Sequence, residues 1–395
     1  MRKLSVEDLD LRGKQVLMRA DFNVPLDKEG KITDDTRIRA ALPTIKYILD
    51  KGASLILISH LGRPKGEVVQ RLRLDPVARK LGELLRKKVL KLDDCAGEKV
   101  KKVAELMKPE EIVLLENLRF HKEERENHPQ FSKELASLAD IFVNDAFGTA
   151  HRAHSSTVGV AKFLPAAAGF LMREELEVLG RILTKPQIPF VAILGGAKIS
   201  DKIGVLRNLL TRCEDILIGG GMAYTFLKSK GIPIGKSLCE DERIDESRRI
   251  MDEAFSRGCT ISLPLDHIIA REPEEGAEVK EVEQDEIPPD WMALDIGPRT
   301  IELFEKVIRK AKTIFWNGPM GMFEIEDFSK GTEAIAKMLA ESEATTIVGG
   351  GDSIAALKKM GLEGKMTHIS TGGGASLKFL EGKILPGVEA LSEKE

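Results

Sequence analysis

The chain has 395 residues, and its 60 basic residues nearly balance 63 acidic ones to give a formal net charge of −3. One hydrophobic core rarely extends beyond about 250–300 residues, so this length predicts two domains. The near-neutral charge argues against a nucleic-acid-binding protein and against a protein of the membrane surface. Any site for anions must therefore come from local clusters of Arg, Lys and His.

The cysteines and the first residues predict the cellular compartment. Cys95, Cys213, Cys239 and Cys259 are far apart and form no C-x-x-C pair, so neither a disulfide framework nor a structural zinc site is expected. The first residues, MRKLSVEDLDLRG, lack the apolar core of a signal peptide, and no apolar stretch approaches the ~20 residues that span a bilayer. We expect a cytoplasmic protein.

Short apolar runs alternate with longer amphipathic stretches along the whole chain. Runs that are apolar on both faces and separated by helices are typical of parallel sheets covered on both sides. The predicted strands are QVLMRADFN, SLILISH, EIVLLENLRF and DIFVNDAFG in the first half, and PFVAILGG, DILIGGG, TIFWNGP, TTIVGGG and THISTGGG in the second. The predicted helices include RIRAALPTIKYILDKG, DPVARKLGELLRKK, SDKIGVLRNLL and GTEAIAKMLAES. This pattern predicts an α/β protein with two Rossmann-like, doubly wound parallel sheets.

One long amphipathic helix near the middle, from about Gly169 to Thr184, ends where Pro186 and Pro189 prevent its continuation. It is a candidate hinge. The predicted domains are 1–169 and 185–375, joined by the helix 170–184 and followed by a C-terminal segment 376–395. The acidic, Pro-rich stretch REPEEGAEVKEVEQDEIPPD is predicted to be a solvated hairpin or loop.

Polar and cationic residues follow the strands of the first half. In parallel α/β sheets, ligands bind beyond the carboxyl ends of the strands. Arginine suits phosphate and carboxylate, because its planar guanidinium donates two parallel charge-assisted hydrogen bonds. A single Arg could be a surface ion pair, but four strand ends that each deliver Arg or His predict an anion site. The residues are Asp21, Asn23, Arg37, His60, Arg63, Asn117, Arg119, Asn144, Asp145, His151, Arg152 and His154.

Some of these residues have alternative interpretations. Asp21 and Asp145 could be helix N-caps or salt-bridge anchors that orient the arginines, and we favour such a supporting role for Asp145. The histidines could be metal ligands, but no helical H-x-x-x-H pair or Cys partner accompanies them. We therefore expect them to donate hydrogen bonds to phosphate or to be satisfied within the protein.

Glycine runs follow the strands of the second half. In GGAKISDK, GGGMAYTF, NGPMGMFE, GGGDS and TGGGAS, glycine lets a ligand approach the backbone, and each run is expected to open a helix whose N-terminus attracts an anion. Lys198 and Lys202 are four residues apart and are expected on one helical face. Asp352 is either an N-cap or a magnesium ligand.

Several well-known fingerprints are absent from the sequence. There is no G-x-x-x-x-G-K-[ST], no G-x-G-x-x-G and no G-x-S-x-G. The glycine runs therefore predict a nucleotide site that is neither a P-loop nor a standard dinucleotide fold.

The motifs RADFNVP, DDTRIRAALPTI, SHLGRPKG, ENLRF, NDAFGTAHRAHSS, GGAKISDKI, GGGMAYTFL, WNGPMGMFE, GGGDS and ISTGGGAS stand in this order from about residue 15 to 390. Together they resemble the phosphoglycerate kinase family. The resemblance implies reversible, magnesium-dependent transfer of the acyl phosphate of 1,3-bisphosphoglycerate to ADP, giving ATP and 3-phosphoglycerate, after domain closure. It further implies that the C-terminal segment packs back on the N-terminal domain.

The resemblance also implies roles for individual residues. Arg37 would lie nearest the carboxyl end of 3-phosphoglycerate, Lys198 would follow the transferring phosphoryl group, and Gly373 and Gly374 would donate N–H groups to it. Asp352 would serve Mg²⁺, directly or through water. The substrate would be bound by Asp21, Asn23, Arg37, His60, Arg63, Arg119 and Arg152. The nucleotide would be bound by Gly196, Lys202, Gly219, Gly220, Leu294, Asn317, Glu324, Gly350, Gly351, Asp352 and Ser353.

Three other functions fit the sequence less well. Another carboxylate kinase without a P-loop would share the glycine runs but not this spacing of Arg and His. A nicotinamide-dependent dehydrogenase needs a dinucleotide loop that cannot be placed. A non-catalytic binding protein would not need the lysines, Arg37 and Asp352 together. We expect a monomer that uses small-molecule substrates and binds neither nucleic acid nor membrane.

Overall fold

The structure is a computed structural model that describes residues 3–394, and these divide into two compact units. Unit 1 runs to Glu177 and also contains the chain from Ile384 onward, whereas unit 2 is Val178–Lys383. Each unit is built on one six-stranded parallel sheet, which confirms the prediction of two parallel sheets but adds strands that were not predicted. The division falls within the single helix Phe170–Thr184.

The sheet of unit 1 has the strand order β3-β4-β2-β1-β5-β6. Every residue of β2 is buried, because helices cover both faces of the sheet. The chain runs outward in opposite directions from β1, so the β1–β5 boundary is the topological switch point where ligands bind in such folds. The strands are β1 (Gln15–Arg19), β2 (Ser54–Ile58), β3 (Val89–Lys91), β4 (Ile112–Leu114), β5 (Ile141–Asn144) and β6 (Ala166–Ala168).

The helices of unit 1 pack apolar side chains against this sheet. The core includes Ile38, Ile45 and Leu81 from two helices and Val16 and Leu57 from two strands. The helices are α1 (Thr36–Asp50), α2 (Asp75–Leu85), α3 (Glu98–Glu105), α4 (Lys122–Arg125), α5 (Pro129–Ala136) and α6 (Phe170–Thr184), the last of which continues into unit 2.

Unit 2 contains a parallel sheet of order β15-β14-β13-β7-β8-β9 and a separate antiparallel sheet of order β11-β10-β12. In the parallel sheet the switch point lies between β7 and β13. The strands are β7 (Phe190–Leu194), β8 (Asp215–Ile218), β9 (Thr260–Ser262), β10 (Asp266–Ala270), β11 (Lys280–Glu283), β12 (Met292–Ile296), β13 (Thr313–Asn317), β14 (Thr345–Gly349) and β15 (His368–Ile369). The helices are α7 (Ile203–Leu209), α8 (Met222–Ser229), α9 (Ile244–Arg257), α10 (Pro298–Ile308), α11 (Lys330–Glu341), α12 (Gly351–Met360) and α13 (Gly374–Leu380).

The chain beyond α13 returns to unit 1 and contains the short helix α14 (Pro386–Glu389). The backbone N–H of Leu4 donates to the carbonyl of Ser392 at 2.9 Å, and Ser392 N–H donates to the carbonyl of Ala166 at 2.9 Å. The C-terminal segment thus lies beside the edge strand β6. In the structure α13 lies in unit 2, and the chain joins unit 1 at Ile384.

All nine predicted strands are present, but the sequence does not reveal β3, β6, β9 or the antiparallel sheet. The strand β6 consists of three alanines, which are weak β formers. The acidic stretch from Arg271 to Asp290 contains the largely exposed strand β11, paired with β10 as a solvated hairpin. Among residues 3–394, no helix is both long and apolar enough to cross a membrane.

Candidate active site

A cationic cavity of about 550 Å³ lies at the carboxyl ends of the strands of unit 1. Its walls come from the segments that follow β2, β4 and β5. No carboxylate is among the described residues that line it, so the cavity is strongly positive. The lining residues are Arg63, Lys65, Arg119, Arg125, Arg152 and His154.

Arg19 and His60 lie buried at the ends of β1 and β2. The guanidinium of Arg19 donates to Ser156 Oγ at 3.0 Å and lies 2.9 Å from His60 Nδ1. Burial, followed by the positive charges of Arg19, Arg119, Arg37 and Arg152, holds the pKa of His60 well below its usual range. His60 is therefore neutral near pH 7, and it adds hydrogen-bonding capacity without further charge.

Arg119 has a donor left over for a ligand. Its Nη1 donates to the carbonyl of Gly62 at 2.7 Å, and its backbone N–H donates to Asn117 Oδ1 at 3.1 Å. Its buried Nε has no hydrogen-bond partner among the described residues. Burial and then repulsion from Arg19 and Arg152 lower the Arg119 pKa to about 10. An anion in the cavity would satisfy this donor and relieve the repulsion between the arginines.

Asp21, Asn23 and Arg37 connect the loop after β1 to the start of α1 and to the loop after β2. Arg37, in the first turn of α1, forms an ion pair with Asp21. Asn23 Oδ1 accepts a hydrogen bond from the backbone N–H of Gly62 at 2.8 Å, and Asp21 Oδ1 accepts one from Asn23 N–H at 3.2 Å. Asp21 is thus a salt-bridge anchor, and the seven predicted substrate residues come from the segments that follow the strands, including the first turn of α1 at Arg37.

Asp145 stabilises the start of α6. Its Oδ1 accepts a hydrogen bond from the backbone N–H of Met172 at 3.1 Å, in the first turn of that helix. Burial raises the pKa of Asp145 to about 6, although hydrogen bonds from Thr44, Met172 and Leu171 oppose the rise. The structure therefore gives Asp145 a capping role rather than that of an arginine anchor.

The raised pKa of Asp145 predicts a pH-dependent contribution to stability. Between about pH 4 and pH 6 the folded chain keeps a proton that the unfolded chain has lost, so this contribution falls as the pH rises through that range. We expect the unfolding free energy of the wild type minus that of Asp145→Asn to fall by about 2–3 kcal/mol from pH 4 to pH 7 and then stay level. Urea unfolding of both proteins at a series of pH values measures this difference. Unfolding free energies that change with pH in parallel for the two proteins would refute the prediction.

A second cavity, of about 350 Å³, lies at the strand ends of unit 2. Glycine-rich loops after β7, β8 and β13 form one side, and apolar side chains form the other. A mostly apolar slot with a few polar groups is suited to a flat heteroaromatic ring that carries a polar chain. The lining residues are Gly196, Ala197, Gly220, Gly221, Tyr224, Lys236, Leu238, Met292, Ala293, Leu294, Pro319, Met320, Gly321, Met322, Glu324 and Asp352.

Two of the glycines in these loops are required by contacts between the loops themselves. Gly220 has φ +63°, and a Cβ there would lie 2.6 Å from the backbone nitrogen of Gly196. Gly318 has φ +99°, and a Cβ there would lie 2.4 Å from the carbonyl oxygen of Gly195. The loops after β7, β8 and β13 therefore cross with their backbones in contact. Close approach of a ligand is not the reason for glycine at these two positions.

Lys198 and Lys202 do not share a helical face, so that prediction is wrong. The helix α7 begins only at Ile203, and both lysines precede it in a loop. Lys198 is exposed, whereas Lys202 is buried and donates from Nζ to the carbonyl of Asn317 at 3.2 Å. Burial lowers the pKa of Lys202 to about 8 despite the nearby carboxylates of Asp201 and Asp352.

Asn317 presents a second unsatisfied donor. Its Oδ1 accepts a hydrogen bond from Lys202 Nζ, while its buried Nδ2 has no partner among the described residues. A Cβ on Gly350 would lie 2.9 Å from that Nδ2, so glycine keeps the space beside the amide open. Lys202 and Asn317 thus offer adjacent donors for anionic oxygens.

The expectation that every glycine run opens a helix holds for three runs and is wrong for two. Helices begin directly after β8, β14 and β15, at Met222, Gly351 and Gly374. After β7 a loop precedes α7, and after β13 no α-helix begins before Lys330. Asp352 is the second residue of α12, whose N-cap is Gly350, so its carboxylate is not a cap and instead lines the cavity.

The remaining predicted residues of unit 2 follow β8, β14 and β15 and are not among the residues that line this cavity. Gly219 packs against Met320, where a Cβ would meet the Sδ at 2.5 Å. Ser353 Oγ accepts a hydrogen bond from the backbone N–H of Gly318 at 2.7 Å and so holds the loop after β13. Gly373, at φ +52°, is the N-cap of α13, which Gly374 opens.

Sequence reasoning missed several residues that line the two cavities. Lys65 stands two positions after Arg63 in SHLGRPKG and could have been found there. Arg125 lies on the short helix α4, and Lys236 and Leu238 lie between α8 and α9. Because Arg125, Lys236 and Leu238 do not come directly after a strand, a search of the strand ends could not identify them. The methionines Met320 and Met322 stand within NGPMGMFE, where the glycines gave a signal and the resemblance implied roles only for Asn317 and Glu324.

Comparison with known proteins agrees with this geometry. The phosphoglycerate kinase family model matches residues 6–383. Proteins named phosphoglycerate kinase from Pelotomaculum thermopropionicum and Moorella thermoacetica are each 57% identical over 394 residues, covering 100% of both chains. Among solved structures, phosphoglycerate kinase from Coxiella burnetii is 44% identical with a TM-score of 0.90, and that from Pyrococcus horikoshii is 36% identical with a TM-score of 0.85. Each alignment covers 98% of both chains. This chain is therefore a member of the phosphoglycerate kinase family, a phosphate-transferring enzyme.

Proposed function

We propose that this chain catalyses the reversible, magnesium-dependent transfer of the acyl phosphate of 1,3-bisphosphoglycerate to ADP, as in glycolysis and gluconeogenesis. The observation that carries the proposal is the cavity of unit 1, which the segments after three strands line with arginine, lysine and histidine and no described carboxylate. A small substrate that carries both phosphate and carboxylate groups matches such a cavity.

We assign binding of 3-phosphoglycerate to the loops at the strand ends of unit 1. Arg63, Arg119 and Arg152 line the cavity, and the free Nε of Arg119 is available for a substrate oxygen. Arg37 is placed nearest the carboxyl end, where the acyl phosphate forms. Asp21 orients Arg37, and Asn23 and His60 complete the set.

We assign binding of ADP and ATP to the cavity of unit 2. Leu294 and Met320 offer apolar surface for the adenine ring, and Glu324 offers a carboxylate for the ribose hydroxyls. Lys202 and Asn317 supply donors for the phosphates, together with the loops at Gly196, Gly219, Gly220 and Gly350 and the first turn of α12 at Gly351 and Ser353. A phosphate beside Lys202 would favour its protonated form.

The residues around this cavity fit a magnesium ion bound together with nucleotide phosphates. Mg²⁺ prefers oxygen ligands and is often held by one or two carboxylates plus phosphates and water. The carboxylate of Asp352 lines the cavity and acts electrostatically on Lys202, so we propose that it holds the ion directly or through water. The ion would supply positive charge beside the phosphate oxygens.

The proposed chemistry needs positioning and charge stabilisation rather than a covalent nucleophile. The acceptor carboxylate is already anionic, so no general base is required. Lys198, Lys202, Arg37 and the backbone N–H groups of Gly373 and Gly374 would neutralise the phosphoryl oxygens during an in-line transfer.

The two substrates are assigned to different units, so direct transfer requires closure. We propose α6 and its flanking loops as the hinge, because the division between the units falls within that helix, after Glu177. Closure would also exclude water and suppress ATP hydrolysis. Small-angle scattering profiles that are identical for the free protein and the ternary complex would rule it out. We further propose a monomeric, cytoplasmic enzyme.

ATP-dependent turnover of 3-phosphoglycerate with Mg²⁺ tests the function directly, and no turnover in the wild type would refute it. Separate ligand binding is tested by thermal unfolding, because a ligand at 100 times its Kd stabilises the native state by about 2.7 kcal/mol. We expect ADP and 3-phosphoglycerate each to raise the unfolding temperature alone. Stabilisation by NADH but not by ADP would favour the dehydrogenase.

A further inference from the structure

A third group of functional side chains lies in unit 1, outside the lining of both cavities. A carboxylate oxygen of Asp94, the Sγ of Cys95 and a ring nitrogen of His121 all lie within 4.8 Å of one another. Asp94 and Cys95 follow β3, and His121 follows the turn Leu118–Phe120 after β4. Because β3 and β4 are neighbouring parallel strands, their carboxyl ends bring these segments together. The phosphotransfer reaction uses none of the three.

The three side chains are held in place by contacts around them. Asp94 Oδ1 accepts a hydrogen bond from the backbone N–H of Cys95 at 2.7 Å and lies 2.8 Å from His121 Nε2. The His121 ring stacks on Phe131, with ring centroids 5.1 Å apart. Supporting contacts of this kind orient the first ligands of metal sites in proteins.

The environment of Cys95 is negative. Its thiol is fully buried, and burial, followed by the carboxylates of Asp94, Glu124 and Glu116, raises its pKa well above the usual range. The thiol is therefore protonated in the free protein. The same carboxylates favour a cation beside the sulfur, and a bound metal ion deprotonates a coordinating thiol.

We propose that Asp94, Cys95 and His121 form a binding site for a divalent transition-metal ion of the zinc class, with water as the fourth ligand. Sulfur and imidazole nitrogen favour zinc and cobalt over magnesium, which prefers oxygen ligands alone. The ion would take the place of the hydrogen bond between His121 Nε2 and Asp94 Oδ1, and the neutral imidazole bound through Nε2 would carry its proton on Nδ1. The ion would also displace the Sγ–H proton of Cys95 to solvent as the metal–sulfur bond forms.

The distances are compatible with such an ion after small side-chain rotations. Tetrahedral zinc with bonds of about 2.0–2.3 Å separates its ligand atoms by about 3.3–3.8 Å. His121 Nε2 and Asp94 Oδ1 must therefore move slightly apart, and any pair that lies at the 4.8 Å limit must close by about 1 Å. The side chains of Asp94 and His121 are 57% and 31% exposed. The ion thus has a route from solvent to the buried sulfur.

Cobalt provides the direct test, because it reports its own ligands spectroscopically. The chelator-treated full chain is titrated with CoCl₂ in excess Mg²⁺, which occupies sites made of oxygen ligands. We expect a thiolate-to-cobalt charge-transfer band and strong tetrahedral ligand-field bands that saturate at one ion per chain and disappear when Zn²⁺ is added. No charge-transfer band in the wild type would overturn the proposal.

Variants identify the ligands. Cys95→Ser is expected to lose the charge-transfer band, whereas Cys213→Ser, a matched change at another buried cysteine, is expected to retain it. His121→Gln changes a partly exposed side chain and provides a second route if the Cys95 variant does not fold. It should weaken cobalt binding by more than the roughly 10–100-fold that loss of a supporting residue costs. A band that persists in folded Cys95→Ser, or unchanged affinity in folded His121→Gln, would overturn the assignment.

Discussion

Replacing Lys198 with alanine is expected to lower kcat about 10²–10³-fold, with little change in KM for either substrate. Lys198 lies in the exposed loop after β7, and we propose that its ammonium group neutralises the phosphoryl group only during transfer. An interaction made only in the transition state contributes to kcat and not to ground-state binding. Steady-state kinetics in both directions measures the effect.

Lys337 provides the control for this substitution. It is an exposed lysine on α11, in the same unit, and Lys337→Ala is expected to keep wild-type kinetics. Thermal unfolding of both variants should match that of the wild type, because neither side chain is buried. A Lys198→Ala enzyme with wild-type kcat would remove the role assigned to the lysine.

Replacing Arg37 with alanine is expected to lower kcat/KM for 3-phosphoglycerate by about 10²–10³-fold. Arg37 lies in the first turn of α1 and is held by its ion pair with Asp21, which follows β1. Its guanidinium would contact the carboxyl end of the substrate and the phosphoryl group that leaves it. Initial rates at varied 3-phosphoglycerate and saturating ATP give the effect.

Arg39 is the matched control on the same helix. It also pairs with an aspartate, Asp35, but its side chain is 57% exposed. Both substitutions remove an arginine–aspartate pair from α1, so a difference between them reflects the place of Arg37 in the substrate site. We expect Arg39→Ala to keep wild-type kcat/KM, and equal losses in the two variants would contradict the assignment.

The parallel sheets could be predicted because their central strands are buried on both faces. All five residues of β2, SLILI, are buried, and such a run is readable without knowledge of its neighbours. The strand β6 could not be predicted, because three alanines have little β propensity and pair only through tertiary context. For the antiparallel hairpin of β10 and β11 the sequence predicts a solvated hairpin or loop without deciding between them, since β11 is rich in charge.

The two cavities were predictable where their residues follow strands, as Arg63, Arg119 and Gly220 do. Arg125 and Lys236 line the cavities but do not come directly after a strand, so a search of the strand ends does not find them. The prediction that Lys198 and Lys202 share a helical face is wrong because a four-residue spacing places two side chains on one face only inside a helix. The helix α7 starts at Ile203, after both lysines. Spacing along the chain gave no sign that β3 and β4 bring Cys95 beside His121.

Unit 1 contains chain from before and after unit 2, so a ribosome must synthesise all of Val178–Lys383 before it can supply the strip around Ser392 that borders β6. At roughly 5–20 residues per second this takes about 10–40 s. During that interval the edge of β6 lacks part of its cover, and an open sheet edge is a template for pairing with other chains. Unit 2 is continuous in sequence, and its last residue, Lys383, is synthesised before the strip around Ser392. The half of the enzyme that is made first is therefore the half that is completed last.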